Sequence, residues 1–148
     1  MTATAHALVG GAIAASTHDP ILGFSLAVAS HPLLDIIPHW DAAWNWRAKS
    51  RILFFMEALA DVCVGLLITY WLFGSFVPLW YLALCIFGAC FWDGLEIPYW
   101  FWNWRFPPFS WSHRIQSQLQ GKAKLPWGVV SQVVTVGLVL LIAFQFIK

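Results

Sequence analysis

Charge is what this sequence has least of. Only 10% of its 148 residues are Asp, Glu, Lys or Arg, against roughly 25% in a typical soluble domain, so an ordinary solvated surface is excluded. No basic side chain precedes Arg47. The opening residues therefore lack the positive n-region of a cleaved secretory signal and are expected to be retained. The formal net charge of +1 comes without a basic patch interleaved with aromatics, which argues against nucleic acid as a partner. Cysteine is scarce as well. Cys63, Cys85 and Cys90 fall in apolar runs without C-x-x-C spacing, so neither a disulfide framework nor a thiolate zinc site is indicated. A Gly-rich phosphate loop, a G-x-S-x-G elbow and an H-E-x-x-H helix are also missing, and with them three common enzyme readings.

What is present is apolar. Hydrophobic residues make up 60% of the chain, its mean hydropathy is +0.70, and it holds eleven tryptophans. These values predict an integral membrane protein, all-α, with residues 1–148 forming a single domain, since no linker, repeat or low-complexity tract divides it. The tryptophans read as an interfacial belt.

Five helices and one surface helix are expected. The first covers about residues 3 to 16, with Ala7, Gly11 and Ala15 as a small-residue stripe that admits a close neighbour. It ends at His18-Asp19-Pro20, where Asp19 suits an N-cap and Pro20 the first position of the next helix. The second runs from about Ile21 to Ile37 with Pro32 inside it. A Trp-rich basic segment follows, holding Trp40, Trp44, Trp46, Arg47, Lys49 and Arg51. The third helix, about Ile52 to Phe73, is a full span. The fourth covers about Pro78 to Tyr99. Between Ser110 and Gly121, Trp111, Ile115 and Leu119 recur every four residues, which predicts a short amphipathic helix on the interface. The fifth span is about Trp127 to Ile147, where Gln132 and Gln145 are the candidates for interhelical hydrogen bonds.

In that order of crossings, the second-to-third and fourth-to-fifth connections share one side, and they hold seven of the eight Lys and Arg residues. The positive-inside rule makes that side cytoplasmic, with the amino terminus inside and the carboxyl terminus outside. Nearly all remaining ionisable residues then fall at the cytoplasmic ends of their helices. His6 begins the first; His31, Asp35, His39 and Asp41 finish the second; Glu57 and Asp61 begin the third; Asp93 and Glu96 finish the fourth. At 1.5 Å of rise per residue, His31, Glu57 and Asp93 each lie roughly 10 Å below the surface.

Imidazoles and carboxylates converging from several helices are how bundles hold metal ions. The metal candidates are His6, His31, Asp35, Glu57, Asp61 and Asp93, with Asp35, Glu57 and Asp61 as candidate catalytic carboxylates. His39, Asp41, Glu96 and His113 mark the rim. Nitrogen and oxygen donors without thiolate suit a divalent ion, zinc or manganese first, and the candidates are numerous enough for two ions. Such a pair can activate water and stabilise the oxygens of a phosphoester. Arg105 and Arg114 are the candidates for holding its phosphate.

Ser30-His31 with Leu34-Asp35 resembles the S-H-x-x-x-D motif of the bacterial inner-membrane proteins described as membrane-bound metal-dependent hydrolases, a group with a LexA-regulated member. Thr4-Ala5-His6 with Gly10 is similar to their T-x-H…G opening, and Trp104-Arg105-Phe106-Pro107 to their aromatic W-R-F stretch. Their H-R-G-x-T-H-S stretch has only Ser112-His113-Arg114 as a counterpart here. The resemblance implies a small helical hydrolase of a bacterial or archaeal cytoplasmic membrane, with ligands at His6, His31 and Asp35. The shallow site suits a membrane lipid or lipid-linked substrate. Two rivals stand beside the hydrolase: a metal or proton transporter, and a non-catalytic membrane scaffold held by a structural metal or a polar cluster.

Overall fold

Small side chains put the first helix, α1 (Ala3–Ser16), at the centre of the molecule. The Thr2 hydroxyl caps it by accepting from Ala5 N, and it packs against four of the other helices. The computed structural model describes residues 1–41, 44–45 and 48–147; Trp46 and Arg47 of the expected surface segment lie outside them. A Cβ at Gly10 would stand 2.8 Å from the Cys85 carbonyl and 3.0 Å from Ala89 Cβ, and one at Gly11 would collide with Thr69 and Phe73. Gly65 answers from the facing helix, where a Cβ would lie 2.8 Å from Thr4 Cα. The expected stripe of Ala7, Gly11 and Ala15 thus belongs to a helix buried on most of its circumference.

Among the described residues the chain is all-α, with seven helices and no strand. In α2 (Pro20–Asp35), Asp19 accepts from Ile21 N and Leu22 N at 2.8 and 2.9 Å and Pro20 occupies the first turn. Pro32 has no N–H to give to the Val28 carbonyl, and Trp92 Nε1 takes that carbonyl instead, at 3.2 Å. The proline therefore opens an acceptor that ties α2 to a later helix. α2 stops at Asp35, two residues before the expected end, and His39 then pairs with Lys122 in a lone parallel bridge.

Ser50 caps α3 (Arg51–Phe73), the one single helix among the described residues long and apolar enough to cross a membrane. The expected continuous fourth helix is instead two, α4 (Leu79–Ala89) and α5 (Phe91–Phe101), bent by 56° at Cys90. As a bent pair they pass the same test of length and apolarity. A side chain inserted into the backbone ladder is a known cause of such a break, and here the His31 ring takes the Ala89 carbonyl at 2.6 Å. α6 (Phe109–Leu119) matches the expected amphipathic helix, and α7 (Trp127–Ala143) begins as expected but ends earlier.

Beside an apolar core that includes Phe73, Tyr81, Leu82 and Cys85, the molecule buries several polar side chains and turns many large apolar ones outward. Its fully buried side chains include His6, His31, His39, Thr69 and Ser112. Ile21, Ile52, Trp71, Trp127 and Val133 are each more than 60% exposed. α6 repeats the pattern: Trp111, Ile115 and Leu119 face out, while Ser112 and Gln116 are buried.

Candidate metal centre

The start of α1, the end of α2, the break between α4 and α5, and the polar face of α6 meet at His31. A neutral imidazole carries one donor and one acceptor nitrogen. His31 Nδ1 donates to the Ala89 carbonyl, which leaves Nε2 as the acceptor. Yet Nε2 faces three oxygens: Asp35 Oδ2 at 3.3 Å, Asp93 Oδ1 at 3.5 Å and Gln116 Oε1 at 3.3 Å. The Gln116 amide is oriented by its own donors, since Nε2 binds the Trp92 carbonyl and Ser112 Oγ at 3.0 Å each. Either a proton on Nε2, which would then donate to these oxygens, or a metal ion bound among them satisfies this arrangement.

His6 stacks on His31 with centroids 3.7 Å apart and planes 10° from parallel. It is fully buried, and neither ring nitrogen makes a hydrogen bond. Its Nε2 nonetheless comes within 3.2 Å of Asp35 Oδ1, close but without hydrogen-bond alignment. Such separations are those of neighbouring ligands: two donors each about 2.0–2.1 Å from one zinc ion stand about 2.9–3.4 Å apart. His6, His31 and Asp93 each offer a ligand atom within 4.8 Å of the others, and Asp35 touches both imidazoles. His6, His31 and Asp93 could hold a metal ion. The Met1 amino group also lies against Asp35 Oδ1.

Other expected ligands are engaged elsewhere. Glu57 pairs with Lys49 near the start of α3. Asp61 accepts from Ala3 N at 2.6 Å and Thr4 N at 3.1 Å, while Thr4 Oγ1 donates to the Asp61 carbonyl. It is thus spent on α1, whose first N–H groups have no partner inside their own helix. His39, expected at the rim, is buried; its Nδ1 donates to the Ile37 carbonyl at 2.8 Å, and its Nε2 meets the Gln120 amide at 3.5 Å. Gln120 also binds Asp41.

A cavity of about 1010 Å³ opens beside the cluster. Asp35, Asp93, Asp61, Glu96, Arg105 and His113 line it, with Phe54, Ala58, Val62 and Ile97 as an apolar wall. Arg114 is exposed on α6 and does not line it. Arg105 lies over the Tyr99 ring at 4.1 Å, with its Nε donating to Asn103 Oδ1 at 2.7 Å. Gln132, expected to bond between helices, instead ties α7 to the cap of α1 and to the loop after α2, accepting from Thr2 N and donating to the Trp40 carbonyl. Gln145 bonds only one turn back, to Leu141.

Sequence reasoning missed Gln116, Ser112 and the Ala89 carbonyl. The first two carried a signal: they sit four residues apart, on a second face about 100° around the helix from Trp111 and Ile115. Comparisons with protein-family models, curated proteins and solved structures found no match.

Proposed function

We propose that this protein is an integral membrane, metal-dependent hydrolase that cleaves a phosphoester or other ester of a lipid or lipid-linked substrate at the cytoplasmic face. The observation that carries this reading is His31 Nε2, buried among oxygens with the unpartnered His6 stacked beside it. The outward apolar faces support a polytopic bundle, and the motif resemblance supports the hydrolase class. His6, His31, Asp35 and Asp93 would hold the ion, zinc or manganese. When bound, it would supply Lewis acidity to the ester and lower the pKa of a water. Arg105 on the cavity wall offers two parallel donors to a phosphate, and the apolar wall suits a hydrocarbon chain.

One observation favours a second reading. A helix broken beside an ionisable residue, as at Cys90 and Asp93, is also how transporters build ion sites. The deciding experiment loads purified protein with Zn²⁺ or Mn²⁺, removes free metal, and measures bound metal and ester hydrolysis together. About one ion per chain, lost in Asp93→Ala and His6→Ala, with hydrolysis that chelation abolishes, is expected. Metal bound without hydrolysis but carried into liposomes would establish the transporter. A chain that takes up no metal overturns both.

A further inference from the structure

α5 and α6 meet beside the metal cluster, and meet again one turn away from it. Asp93 and Gln116 face His31. Three residues after Asp93 on α5 and three before Gln116 on α6, about 4.5 Å along each helix, stand Glu96 and His113, which face each other across the same helix pair. Both line the cavity that Asp93 and Arg105 line. His113 Nδ1 lies 3.3 Å from Glu96 Oε1. A carboxylate only accepts, so Nδ1 carries the proton of that bond and Nε2 is the nitrogen left to exchange a proton with the cavity.

The pair is held more firmly than a chance surface contact. Trp100 Nε1 donates to the other Glu96 oxygen at 2.7 Å, so the carboxylate cannot turn away. The His113 ring stacks on Tyr99 at 4.0 Å and meets the edge of Trp100 at 5.0 Å. Arg105 lies 4.1 Å from the Tyr99 centroid. Two groups that close cannot share one face, so Tyr99 is sandwiched between Arg105 and His113. A phosphate donor and a proton donor are thereby fixed to one ring. An imidazole whose far nitrogen is held by a carboxylate is the arrangement that sets ring orientation and stabilises the imidazolium.

We infer that His113 is the general acid of the hydrolysis proposed above, protonating the leaving oxygen, with Glu96 as its positioning residue; the inference rests on that reading. The oxygen of a water bonds to the phosphorus, and the bond to the ester oxygen breaks with its electron pair leaving on that oxygen. The Nε2 proton of the His113 imidazolium passes to the departing oxygen. The proton released by the water goes to solvent, from which His113 is reloaded, so one water is consumed and an alcohol and a phosphate form.

A general acid matters in proportion to the basicity of the leaving group, whereas a structural residue does not distinguish leaving groups. The test uses the full metal-loaded chain in detergent micelles with dodecyl phosphate and p-nitrophenyl phosphate. His113→Gln should lose about 10²–10⁴-fold on the dodecyl ester and far less on the p-nitrophenyl ester, whose leaving group needs no proton. Glu96→Ala should show the same bias at about 10–100-fold. A readout independent of turnover is the ¹⁵N spectrum of the metal-free chain: His113 should carry its proton on Nδ1, and Glu96→Ala should abolish that preference. Equal losses on both esters, or unchanged rates on both with an active wild type, would overturn the general-acid role alone. An inactive wild type would overturn the hydrolase reading and this one with it.

Discussion

His31 has few electrostatic options because each of its nitrogens meets an oxygen, and Asp61 has few because both of its carboxylate oxygens are already taken. The two residues therefore make opposite predictions, although both are ionisable groups at the same level of the chain. Asp61→Ala removes the acceptors of Ala3 N and Thr4 N; it should destabilise the chain by about 1–2 kcal/mol, as the loss of a cap does, and leave metal stoichiometry unchanged. Thermal unfolding in detergent and elemental measurement on the same sample check this, and a folded Asp61→Asn chain that has lost its ion would restore Asp61 to the ligand set. The meeting of His6, His31, Asp35 and Asp93 was legible, because burying such side chains in an apolar chain is costly and invites a common explanation. The contacts of Asp61 with α1 were not, since a carboxylate that serves the N-terminus of a neighbouring helix has the same signature in sequence as a ligand. Gln116 was passed over because a neutral amide raises no such alarm, yet its oxygen completes the ring of acceptors around His31.

At the scale of elements, α1 is central because its side chains are small. Gly10→Ala places a methyl group 2.8 Å from the Cys85 carbonyl and 3.0 Å from Ala89 Cβ. Backbone and core must shift to admit it, at about 1–3 kcal/mol. Because Ala89 also holds His31 Nδ1, the shift should weaken metal retention as well as stability. Gly137 is the control: a Cβ there meets nothing within 4 Å, so Gly137→Ala should be neutral or stabilise α7 by up to about 1 kcal/mol. Unfolding midpoints of the two variants check the contrast, and equal midpoints would remove α1 from its central role. Helix starts at Asp19-Pro20 and Trp127 were legible because local chemistry sets them. The break at Cys90 was not, because no proline lies between Leu79 and Glu96 and the partner of the Ala89 carbonyl belongs to another helix.

The whole molecule wears its apolar residues outward around a core containing three buried imidazoles, an arrangement that water would penalise and hydrocarbon would not. The sidedness of that bundle is then a question of charge. Lys49, Arg51, Arg105, Arg114, Lys122 and Lys124 flank the cavity end, whereas the turn at Gly74-Ser75 between α3 and α4 carries no basic residue. If the cavity end is cytoplasmic, as the distribution of basic residues implies, cysteines introduced singly at the two ends should respond oppositely in a Cys63→Ala/Cys90→Ala background, in which only the buried Cys85 remains. Gln118 and Ser75 are exposed, and their side chains make no hydrogen bond among the described residues. Ser75→Cys should react with a membrane-impermeant maleimide added to intact cells, and Gln118→Cys should react only after the cells are opened. The reverse pattern would place the cavity outside and remove cytosolic compounds as its substrates. Labelling of both positions in intact cells would mean that the chain does not hold one orientation, and with that the convergence of its ionisable groups on one face of the membrane would lose its meaning.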